Sequence, residues 1–125
     1  MNVSRGFLVT APFYMIVGVL IGMYMAASND HDLVPAHAHI NLLGFVLMML
    51  FGLTYHQFPA AGATMLARAH FWLHQVGSLV LLVMLLLLFT DRISEAAMVP
   101  LAPMAQVAIL LGLICFAINM IRHAR

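Results

Sequence analysis

The chain has 125 residues, of which 65% are hydrophobic and only 7% charged, against about 25% charged in an ordinary soluble domain. Five basic and four acidic residues, with a formal net charge of +1, cannot cover a water-soluble globule of this size, and the absence of Lys leaves no basic face for nucleic acid. The apolar residues lie in blocks of about 20, the length of a bilayer-spanning helix, so the composition predicts a membrane protein surrounded by the lipid bilayer.

Taken in chain order, Pro, Gly and polar punctuation divides the sequence into four apolar segments, about 7–27, 36–58, 69–90 and 97–121. They predict an all-α fold in which residues 1–125 form a single four-helix transmembrane domain. The first segment is longer than the apolar region of a secretory signal and reads as a retained span. It carries Gly18 and Gly22 at the GxxxG spacing, which lets two backbones approach because no Cβ intervenes. Pro35 suits the first turn of the second span. The third span places Trp72 near the inner interface, and Pro100 and Pro103 mark the start, or a kink, of the fourth. Ala108 and Gly112 repeat the small-residue spacing there, and Cys115 is the only cysteine, so no intrachain disulfide forms. Basic residues collect on cytoplasmic flanks. Arg5, Arg68, Arg122 and Arg125 fall on one side and Arg92 on the other, so both termini are predicted to be cytoplasmic. Short loops make successive helices antiparallel neighbours.

Seven histidines are the informative residues. His37, His39, His56, His70 and His74 lie in or at the ends of spans, where an imidazole left with an unpaired donor or acceptor costs about 1–3 kcal/mol. His37 and His39 are two helical steps apart and point to nearly opposite faces, so one ion cannot readily take both. Asn41 and Gly44 follow His37 on its face and predict a cleared strip of backbone that admits a flat macrocycle. His70 and His74 are at i, i+4, on one face, with Ser78 continuing the stripe. His56 ends the second span at a similar depth, which predicts an inner copper or zinc site of His56, His70 and His74. The 19 residues from His37 to His56 span roughly 28 Å, so the two groups are separate sites. The plain alternative is that these imidazoles are satisfied by water near the two interfaces, His56 and His70 above all. His31 and His123 read as solvated loop and tail residues, and the eleven methionines as packing residues rather than a copper pathway.

The run His37-Ala38-His39-Ile40-Asn41-Leu42-Leu43-Gly44 resembles the second-helix haem-ligand region of haem-copper oxidase subunit I, nearest its cbb3 and nitric-oxide-reductase-like branch. Tyr55 to Pro59 and His70-Phe71-Trp72-Leu73-His74-Gln75-Val76-Gly77 extend the resemblance over about residues 35–90. Subunit I has twelve helices in three arcs of four, with a low-spin haem held by histidines from different arcs. The resemblance implies that this chain is one arc, that a homotrimer rebuilds the ring, and that a dimer sharing one haem is the alternative. His37 and His39 then serve as axial ligands of haem b iron in inter-subunit pockets, with Asn41 and Gly44 lining the cofactor. The chain has no adjacent His-His copper pair in its third helix and no paired catalytic His and Tyr, so oxygen reduction is not expected and the reading leans away from an enzyme. His70 and His74 sit at the wrong end of their helix to inherit the copper role.

The function implied is that of a haem-b-binding protein of the bacterial inner membrane, in electron transport or redox sensing, whose redox partner the sequence does not identify. A metal-binding accessory or oxidase-assembly protein using the inner histidines is the alternative. A purely structural membrane subunit is the third reading.

Overall fold

In a computed structural model, which describes residues 1–124, four helices are long and apolar enough to cross a membrane: α1 Val3–Ser28, α2 Val34–Gln57, α3 Met65–Phe89 and α4 Leu101–His123. No strand occurs among the described residues. This is the architecture of a multi-pass membrane protein, and the four expected segments are the four helices, with shifted ends. α3 starts earlier than expected because the Thr64 hydroxyl accepts the Ala67 backbone N–H at 3.1 Å and caps the helix. α4 starts later because Glu95–Met98 forms its own 3₁₀ turn and Pro100 stands at the cap, with Pro103 in the first turn. Asn2 caps α1 by accepting from the Arg5 N–H at 3.0 Å. Asn29, at φ 56°, ends it in the left-handed region that Asn tolerates. Pro12 lies inside α1 without ending it, as neighbouring helices in a membrane permit.

α1 and α2 pack along a seam of small residues. A Cβ on Gly44 would lie 2.5 Å from the Tyr14 ring, one on Gly52 would lie 2.7 Å from Leu8, and one on Gly18 would overlap Asn41 Oδ1. The Gly18/Gly22 motif is therefore an intrachain contact, with Gly22 lying against His37. α3 and α4 use the same device: Gly77 faces Ala105 and Ile109, and Gly112 faces Leu73 and His70.

All four helices meet in the half of the bundle nearest the termini. Phe7 from α1, Phe51 and Tyr55 from α2, His70, Phe71 and His74 from α3 and Phe116 from α4 form one aromatic cluster. Polar ties reinforce it: Gln75 donates to the Thr10 hydroxyl at 2.7 Å, and Ser4 donates to the Gly52 carbonyl at 2.9 Å. Asn119, buried on α4, donates to the Ala61 carbonyl at 3.0 Å and accepts from the Thr64 hydroxyl, fixing the end of α4 to the α2–α3 turn. Outside the cluster, large apolar side chains such as Phe13, Leu20, Leu50, Leu79 and Leu110 are exposed on every helix, an arrangement stable in lipid and costly in water.

Within α2, residues Ile40–Val46 form a π-helical segment. The Leu47 N–H bonds to the Leu42 carbonyl, five residues back, instead of to Leu43. This change of register shapes both histidine groups, because it lies between His39 and the core.

Candidate functional site

His37 and His39 point apart, as their spacing predicts. His37 turns toward α1, where its Nδ1–H donates to the Gly18 carbonyl at 2.8 Å and its Nε2 accepts from the Asn41 amide at 3.2 Å. A carbonyl can only accept, so the ring carries its proton on Nδ1 and its lone pair on Nε2. His39 is exposed on the opposite side of α2, and its Nδ1–H donates to the Pro35 carbonyl one turn back, at 2.8 Å. Its Nε2 lone pair therefore points away from the chain. Anchoring one ring nitrogen on a backbone carbonyl is the usual orientation of a ligating histidine, and both imidazoles have it.

The expected open strip beside His37 is corrected by the structure. Gly18, Gly22 and the Tyr14 ring fill the face that carries His37, Asn41 and Gly44, because small residues in α1 and α2 draw the two backbones together. Gly44 serves this packing, and no macrocycle lies on it within one chain. Asn41 Oδ1 is buried there without a hydrogen bond.

The expected inner trio is also corrected. His70 and His74 are fully buried, whereas His56 is exposed. Among the described residues no three His, Cys, Asp or Glu side chains gather as a metal group. The reason lies in helix geometry: the α2 face toward α3 is taken by Tyr55, and His56 is rotated about 100° away. The Tyr55 hydroxyl lies 3.0 Å from His70 Nδ1. His70, placed by its sequence position near the water boundary, is instead at the centre of the aromatic cluster. Its ring centroid is 4.4 Å from Phe51 and 5.1 Å from Phe116.

His74 Nε2–H donates to the Leu43 carbonyl at 3.0 Å, the acceptor that the π segment turns away from Leu47. Its Nδ1, His70 Nε2 and Ser78 Oγ are buried and make no hydrogen bond to the protein. Residues 70, 74 and 78 thus form a stripe of unpaired polar atoms in the bundle core. Tyr55 and His56 both line a cleft of about 410 Å³ at the terminal end, beside Asn2, Ser4, Pro59 and Gly62.

Tyr55 and Leu43 are the partners of the buried histidines that pattern reading missed. Tyr55 carried a usable signal, since a phenol at the depth where α2 ends and α3 begins needs a partner. His31 and His123 bond to nearby backbone carbonyls, of Asn29 and Asn119. Comparison of the chain with protein-family models, with curated proteins and with solved structures found no match.

Proposed function

We propose that the chain binds haem b at the end of the membrane remote from its termini, between copies of itself, in electron transfer or redox sensing. His39 of one copy and His37 of a neighbouring copy would hold its iron. The observation that carries this reading is His39: an imidazole on a membrane-spanning helix, exposed, with Nδ1–H fixed on the Pro35 carbonyl and Nε2 facing outward. A polar side chain in a span is costly without a partner, and this one is held as ligands are held. Exposed apolar side chains of α2, Val34, Leu42 and Val46 among them, suit a flat apolar macrocycle.

The resemblance of residues 37–44 to a haem-ligand helix supports haem over a bare ion, and the likeness to one arc of subunit I supports a trimer. The donor set fits the group unequally. His39 fits as it stands. His37 fits once Asn41 gives up its Nε2, with the Nδ1 anchor on Gly18 retained. A haem so held supplies one-electron chemistry, while the protein sets ligation, orientation and an apolar surround. In this account the termini face the cytoplasm and the loops between α1 and α2 and between α3 and α4 face outward.

The structural-subunit reading draws on His37, whose two ring nitrogens are both satisfied inside the chain. Spectra separate the two. Protein purified after expression with ample haem should show a Soret band and a reduced-minus-oxidised spectrum of six-coordinate haem b, and His39→Ala should lose both. A colourless wild-type protein would leave the structural reading standing.

A further inference from the structure

The core stripe has a direction. The Leu43 carbonyl can only accept, so the proton of His74 is on Nε2 and its Nδ1 is an unpaired acceptor. With the Tyr55 hydroxyl donating to His70 Nδ1, the proton of His70 is on Nε2, an unpaired donor. One donor and one acceptor, both fully buried, therefore lie on adjacent turns of α3, with ring centroids 5.9 Å apart. The two rings make no hydrogen bond to each other, and a single water bonded to both would pair the donor with the acceptor. Leaving both atoms unpaired would cost about 1–3 kcal/mol each.

We infer that Tyr55, His70, one bridging water and His74 form a proton-access path from the terminal face into the middle of the bundle. Tyr55, itself buried, borders the cleft at that face. From Tyr55 to Leu43 is 12 residues of α2, roughly 18 Å at 1.5 Å per residue, more than half of a hydrocarbon slab of about 30 Å. Each transfer conserves protons. The Tyr55 oxygen takes a proton from a hydronium ion entering from the cleft, which is left as water, as it passes its own to His70 Nδ1. His70 releases its Nε2 proton to the bridging water, which gives one to His74 Nδ1. The product is a doubly protonated His74, and release runs back along the same atoms.

The surroundings suit a relay rather than a fixed charge pair. Beside the buried Tyr55, the buried polar residues among those described are His70, His74, Ser78 and Asn119, with no Asp, Glu, Lys or Arg among them. Phe7 and Phe51 flank both imidazoles and exclude other partners. Ser78 Oγ, one turn beyond His74, is the next unpaired polar atom along α3. The path uses no atom of His37 or His39 and stands without the haem assignment.

The test is hydrogen exchange at the histidine rings of the full chain, labelled with ¹⁵N-histidine and placed in phosphatidylcholine vesicles. After transfer to heavy water the ring Nε2–H of His70 should exchange at least tenfold faster than the backbone amide of Leu81, which lies in the same helix. Tyr55→Phe, which keeps the ring and removes the hydroxyl, should slow it tenfold or more with helicity unchanged. His39→Ala should leave it unaltered, which separates failure of the relay from failure of the haem reading. A His70 ring proton as persistent as the Leu81 amide, an unchanged rate in Tyr55→Phe, or a metal ion retained by His70 and His74 in the purified protein would overturn the relay.

Discussion

The imidazole of His74 donates to the backbone carbonyl of Leu43 at 3.0 Å, joining the core of α3 to the π segment of α2. Neither partner has a substitute. The π register turns Leu47 away from the Leu43 carbonyl, and His74 is buried. His74→Leu should therefore destabilise the protein by about 1–3 kcal/mol through an unpaired carbonyl in an apolar interior. His74→Gln, which keeps a donor, should recover part of that loss. Reversible unfolding in mixed micelles, followed by circular dichroism, checks both.

The α1–α2 seam makes a second prediction. A Cβ at Gly18 runs into Asn41 Oδ1, so Gly18→Val should cost about 1–3 kcal/mol by overpacking. It should also disturb His37, which bonds to both the Gly18 carbonyl and the Asn41 amide. Ala117→Val, at an exposed position of α4, should stay within about 0.5 kcal/mol. The same unfolding measurement on the two variants decides it.

His56 and His70 should respond in opposite ways. His56 is exposed at the terminal cleft, and His56→Ala should change stability by about 0.5 kcal/mol or less. His70→Ala opens a cavity among Phe7, Phe51 and Phe116 and strips the Tyr55 hydroxyl of its partner. It should cost about 3 kcal/mol or more. Equal effects of the two substitutions on thermal unfolding would return His56 to the core group.

Asn41 bears on the proposed cofactor in a way its sequence position hides. Its amide occupies His37 Nε2, so it competes with a ligand instead of assisting one. Asn41→Ala removes a hydrogen bond worth about 1 kcal/mol, and haem affinity should rise about fivefold. Haem titration followed at the Soret band reads this directly, and loss of affinity would place Asn41 in the cofactor pocket instead.

Hydropathy located the four helices because each is a contiguous apolar block, and helical spacing alone placed His37 against His39 and put His70 and His74 on one face. What sequence left hidden depends on which neighbour fills a face. Nothing in Ile40–Val46 announces a π segment, so the Leu43 acceptor was invisible. The strip beside Asn41 and Gly44 reads as open until Tyr14 is seen lying on it. His56 and Tyr55 are adjacent in sequence and at one depth, and only the rotation of α2 in the bundle decides that the phenol points inward. Caps moved the ends of α3 and α4 through Thr64 and Pro100, both legible as signals, but with weights that pattern alone does not assign.

The central claim is that a haem is shared, with His39 from one copy and His37 from the next. Co-expression of two differently tagged chains, one bearing His37→Ala and the other His39→Ala, tests it most directly through the visible spectrum of complexes purified by both tags in succession. Each variant expressed alone should lack six-coordinate haem, while the doubly purified complex should regain it, because one of its interfaces combines an intact His39 with an intact His37. A complex as colourless as its parents, beside a coloured wild type, would contradict sharing between copies.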